Sequence, residues 1–173
     1  MTWKLFVAAA LLAATATARA QGAMPPPPPL PVHWVLNVIR DGQQIDSFEG
    51  TTTVGQARTE THHHVVSHGV GCLDHPGGDI DLSRTLTVSP IQASPAGVTL
   101  AIDAQETLEG DYDQPTPGGC RLPPQPRQLS ASHPGLRIPA GTWMLWQIVE
   151  HNPSLAYRVT ASLVPPAPPS SGQ

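Results

Sequence analysis

Two runs between Asp79 and Glu109 alternate apolar with polar residues, and that alternation decides the fold class. Ile80, Leu82, Arg84, Leu86 and Val88 hold the even positions of the first run. Asp79, Asp81, Ser83, Thr85, Thr87 and Ser89, all polar, lie between them. Val98, Leu100, Ile102 and Ala104 repeat the pattern, interleaved with Thr99, Ala101, Asp103 and Gln105. A period of two puts one set of side chains on a core and the other in water, which is a half-buried strand and not a helix. Pro90 and Pro95-Ala96-Gly97 punctuate the connection, so the two runs are expected to pair as a hairpin. The only two cysteines, Cys72 and Cys120, bracket this unit.

The same pattern recurs along the chain. Val32, Trp34, Leu36 and Val38 alternate towards Asp41-Gly42, a two-residue signal for a type I′ hairpin turn, and Ile45 and Phe48 follow on the returning arm. Gly50 to Thr53, with Gly55, reads as a corner. Gln56 to Val66 reads as a polar strand. Gln128 to Ile138 suits a short edge strand weakened by Pro134 and Pro139. Thr142 to Glu150 is apolar on both faces, as in a central or covered strand. Leu155, Tyr157, Val159, Ala161 and Leu163 alternate cleanly. Seven to eight short strands, with no helical period after the first residues, predict an all-β chain, an antiparallel β-sandwich or flattened barrel.

The N-terminus has the form of an export signal. Lys4 precedes an apolar run, Leu5 to Ala14, and Ala18-Arg19-Ala20 fits signal-peptidase cleavage. The expected organisation is a signal peptide over 1–20, a Pro-rich linker over 21–31, one domain over 32–164 and a Pro/Ser-rich tail over 165–173. Pro25 to Pro29 favour an extended polyproline II spacer. After cleavage, seven arginines face thirteen acidic residues, a formal charge of −6, with no lysine. That composition argues against a phosphate-backbone grip on nucleic acid and against lysine Schiff-base chemistry. No later run is long and apolar enough to be a transmembrane segment. In an exported chain Cys72 and Cys120 are expected to form one disulfide, worth about 4 kcal/mol on the chain-entropy model.

One stretch carries candidate chemistry. Glu60, His62 and His64 share a strand face, and His68 can join them if the chain turns back. Two imidazoles and a carboxylate so spaced are ligands suited to Zn²⁺ or Cu²⁺; a histidine-rich solvated strand face is the bland reading. The same histidines could respond to pH. Asp79-Ile80-Asp81 and Asp111-Tyr112-Asp113 lack the full alternation and glycine of a Ca²⁺ loop and read as turn or strand-start aspartates. There is no nucleophile elbow, P-loop or dinucleotide glycine pattern. Of Trp34, Trp143 and Trp146, at least two should pack in the core, and Trp143 and Trp146 fall on opposite faces. The expectation is an exported, non-catalytic, β-rich binding or accessory protein, periplasmic or secreted, in the envelope of a Gram-negative bacterium. Its partner would be an envelope or extracellular protein, and no cofactor is expected. The alternatives are a periplasmic copper or zinc binder using Glu60, His62, His64 and His68, and a hydrolase of unknown class.

Overall fold

The computed structural model describes residues 30–68, 78–110, 114–115, 121–122, 124–151 and 153–165. The expected signal peptide, most of the linker and nearly all of the tail lie outside them, as do Cys72, Cys120 and with them the expected disulfide.

Among the described residues ten strands form: β1 (Pro31–Arg40), β2 (Gln43–Thr53), β3 (Arg58–Ser67), β4 (Asp79–Ser94), β5 (Gly97–Glu109), β6 (Gln114–Pro115), β7 (Arg121–Leu122), β8 (Pro126–Pro139), β9 (Trp143–Val149) and β10 (Leu155–Leu163). Eight of them make two antiparallel four-stranded sheets, ordered β2-β1-β10-β9 and β3-β4-β5-β8, while β6 and β7 pair with each other. No helix occurs among the described residues. The sheets pack face to face in a sandwich-like arrangement. The alternating apolar positions of β1, β4, β5 and β10 meet in one core containing Trp34, Leu36, Leu86, Leu100, Ile102, Tyr157 and Val159. Full burial of each such side chain contributes roughly 1.5–3 kcal/mol before the entropy of ordering is set against it.

The hairpin signals read from the sequence produce the observed turns. Asp41 and Gly42 both take positive φ, 50° and 80°, as a type I′ turn requires. The β4–β5 hairpin closes at Pro95-Ala96, with Ser94 opposite Gly97. Three details differ from expectation. First, β4 runs on through Pro90 to Ser94, with a register shift between Pro90 and Gln92. Proline is tolerated because the β3 ladder ends at Arg58 opposite Val88, so no neighbouring strand needs the missing N–H. Second, Gly50 to Thr53 is no corner. These residues continue β2, opposite Trp34 to Pro31, and the turn comes after them, with Gly55 at φ 84°. Gly50 makes room for the Trp34 indole, since a Cβ there would lie 2.5 Å from Cζ2. Third, β9 is neither central nor covered. Among the described residues it is an edge strand, paired with β10 alone, and Trp143, Met144 and Leu145 are exposed.

Strand β8 is an edge strand, as Pro134 and Pro139 suggest, though longer than expected. Its Pro134-Gly135 step falls where the register against β5 shifts, between Leu100 and Ile102.

Candidate functional site

Edge strands β2 and β3 belong to different sheets but lie on the same side of the sandwich. There the sheets leave an open cleft of about 590 Å³, within the usual range for small-ligand sites. Arg40, Ile45 and Asp46 line it from the first sheet; His62, His64, Leu82, Arg84 and Leu108 are among those lining it from the second.

A chain of charged groups runs inward from this cleft. His62 stacks on the buried Phe48 ring, with centroids 3.9 Å apart, and its Nδ1 lies 3.0 Å from Asp46 Oδ1. Arg84 Nη1 donates to Asp46 Oδ2 at 2.8 Å. Its Nε reaches both carboxylate oxygens of Glu106, at 2.8 and 2.7 Å. Tyr157, from the opposite sheet, donates its hydroxyl to Glu106 Oε1. Beyond it, Trp146 packs at 5.7 Å from the Tyr157 ring, and His133 meets Trp146 edge-on at the far seam. The charged chain therefore runs from the cleft into the core and ends at Glu106, whose side chain is only 1% exposed, and neutral aromatic contacts continue from there to the far seam.

Burial sets the protonation behaviour of this chain. It pushes the Glu106 carboxyl above its ordinary value of 4.5, although Arg84 and Tyr157 pull the other way. For Asp46 burial also acts upward, but hydrogen bonds from His62, Arg84 and the Ser47 N–H outweigh it and hold the group below 3.8. Desolvation opposes the Arg84 charge, yet Glu106 and Asp46 more than offset it, so the guanidinium stays firmly protonated. Burial and the neighbouring Glu106 raise the Tyr157 hydroxyl well above its ordinary value, so it remains a donor.

The residues expected to form a metal site are divided. His62 and His64 do reach one cleft. Glu60 accepts instead from Arg58, at 2.8 Å from Nε. His68, at the end of β3, lies 2.9 Å from Glu109 Oε1. His63, on the outer face, bonds Asp81 at 2.8 Å. Among the described residues no group of three or more His, Cys, Asp or Glu side chains is brought to metal-binding geometry. Asp79 and Asp81 are strand residues tied to Ser67 and His63; Asp111 and Asp113 lie outside the described residues.

Asp46, Glu106 and Tyr157 were not singled out by motif, yet a signal for the pair at the centre exists. Arg84 occupies the apolar register of β4, and Glu106 the apolar register of β5, between Ala104 and Leu108. Opposite charges on the core face of adjacent hairpin arms mark a buried pair. In the structure they are direct register partners.

Chemically the cleft offers donors. Arg84 uses Nε and Nη1, and Nη2 has no hydrogen-bond partner among the described residues. No fully buried polar side-chain atom among the described residues lacks a partner, so Nη2 keeps some solvent contact, and Arg84 is one of the residues lining the cleft. Arg40 and His64 stand at the rim with Ile45, Leu82 and Leu108 as apolar walls. Comparisons with protein-family models, curated proteins and solved structures find no match to this chain.

Proposed function

We propose that this chain is an exported, non-catalytic binding or accessory protein of the bacterial cell envelope, and that its cleft receives an acidic group carried on a short apolar body. The observation that carries the reading is the lining of a cleft of about 590 Å³, which gathers the cationic Arg84 and Arg40 with His62 and His64. Among the described residues the one carboxylate lining it, Asp46, is already engaged by His62 and Arg84, so the described lining has more donors than acidic acceptors. Ile45, Leu82 and Leu108 supply apolar contact beside them. The leader at Lys4 to Ala20 supports export, and the sandwich-like fold suits a rigid scaffold for binding.

The test uses hexanoate as a probe, with 1-hexanol as its uncharged counterpart, in amide-resolved NMR titrations. Saturable shifts at Thr61, His62, Leu82 and Leu108 are expected with hexanoate alone, and weaker ones in Arg40→Ala. Equal response to hexanol, or shifts scattered over both sheets, would remove the reading.

A further inference from the structure

A sandwich of two open sheets has four edges, each a row of unpaired backbone groups that must be protected from other chains. Three of them carry recognisable protection. Strand β2 has Asp46 and Glu49. Strand β3 has Arg58, Glu60 and three histidines. Strand β8 has Pro126, Pro134 and Pro139, with Arg127 and Arg137. The fourth, β9, reads Trp-Met-Leu-Trp-Gln-Ile-Val and has no charge, no proline and no glycine.

It is also where apolar surface collects. Trp143, Met144 and Leu145 are 54%, 37% and 47% exposed, three consecutive residues on a strand that, among the described residues, is hydrogen-bonded on one side. Trp143 and Leu145 face away from the core, on the side that carries Arg158 and Thr160 of β10. The Arg158 guanidinium lies 5.2 Å from the Trp143 ring centroid, so the beginning of β9 carries a positive charge. The end of β9 carries a negative one, the exposed Glu150 directly after Val149.

We infer that β9 is a docking strand for a second copy of this chain, the two β9 strands pairing antiparallel to join their sheets into one. Antiparallel self-pairing about Trp146 brings Trp143 opposite Val149, Met144 opposite Ile148 and Leu145 opposite Gln147, with no like charges face to face. It also brings Glu150 of each copy to the Arg158 end of the other. The complementarity is satisfied twice by the two-fold axis, as an isologous interface requires. Head-to-tail pairing of β9 with β2 would leave a free edge at each end, propagating into a filament instead of closing.

Sedimentation equilibrium of the chain purified from the periplasm of an expressing bacterium tests this. The wild type is expected to be dimeric at micromolar concentration. Leu145→Lys, at an exposed edge position, should be a monomer with unchanged circular dichroism. Arg158→Glu should weaken the dimer at least about tenfold, and Arg158→Glu with Glu150→Arg should restore it. Both rely on surface positions, so a folding failure in Leu145→Lys leaves the charge swap to decide. A wild type that stays monomeric overturns the inference, including one that instead captures an extended peptide along β9. So does a dimer indifferent to Leu145→Lys, or one that the charge swap fails to rescue.

Discussion

Replacing Arg84 with methionine would strip the buried carboxylate of its counter-charge while keeping the stem's apolar contacts. Glu106 would retain one donor, the Tyr157 hydroxyl, in a site where its side chain is 1% exposed. Removing one member of a buried pair typically costs about 3–5 kcal/mol, because the remaining charge is left in a low-dielectric surrounding. For a domain of this size that corresponds to a drop in Tm of about 10–20 °C. Removing both charges, Arg84→Met with Glu106→Leu, should recover much of the loss. What then remains is a Tyr157 hydroxyl without its acceptor, roughly 1–3 kcal/mol, while Asp46 keeps His62. Urea denaturation of wild type, both single variants and the double variant would therefore show the double variant about 2 kcal/mol less destabilised than Arg84→Met alone, a clear departure from additivity. The penalty of Arg84→Met should also shrink in acid, where Glu106 is protonated and no longer buries a charge. An Arg84→Met cost below about 1 kcal/mol, or strictly additive single variants, would refute the reasoning that this pair is a coupled buried unit.

Other expectations follow from the same geometry. Glu106 sits above 4.5 in the fold, so its contribution is full below that pH and lost as pH rises through the folded value; Asp46, held below 3.8, contributes above 3.8 and loses its contribution as pH falls through its folded value. Stability measured against pH should accordingly decline above 4.5 in wild type relative to Glu106→Gln, and parallel curves would contradict the assignment. Gly50→Ala places a methyl 2.5 Å from Trp34 Cζ2, and an overpacking loss of about 1–3 kcal/mol is expected in thermal unfolding; an unchanged Tm would show that the indole yields freely. Calorimetric titration with Zn²⁺ or Cu²⁺ should give weak, multi-site heats indifferent to His62→Ala with His64→Ala, because His62, His63 and His68 each sit against a different carboxylate. A one-to-one submicromolar site lost in that variant would support the metal reading. If the proposed export holds, intact-mass analysis of the chain expressed in a bacterium should place its first residue at Gln21, and retention of Met1 to Ala20 would count against export.

Much of the fold is legible in the sequence because its signal is local. Alternation at period two is a property of neighbouring residues, so β4, β5, β1 and β10 can be read directly, and Asp41-Gly42 announces its turn because few residues tolerate positive φ. The errors lie where a partner strand decides. Pro90 looks like a terminator, yet β4 passes through it because the ladder of β3 has already ended. Thr142 to Glu150 is apolar on both faces, which local reading equates with burial, but β9 lies at an edge, and only the strand order β2-β1-β10-β9 makes that visible.

The site divides along the same line. The sequence by itself determined the strand class, the hairpins and the shared face of Glu60, His62 and His64, because side-chain direction along a strand depends only on parity. It also displayed Arg84 and Glu106 in the core register of adjacent arms. Only the tertiary structure decided what those groups meet. Asp46 arrives from β2 and Tyr157 from β10, both in the other sheet, and proximity across two packed sheets has no fixed spacing along the chain. His62, His63 and His68 accordingly lie against carboxylates from three other strands, and on the shared face Glu60 pairs with Arg58 while His62 pairs with Asp46.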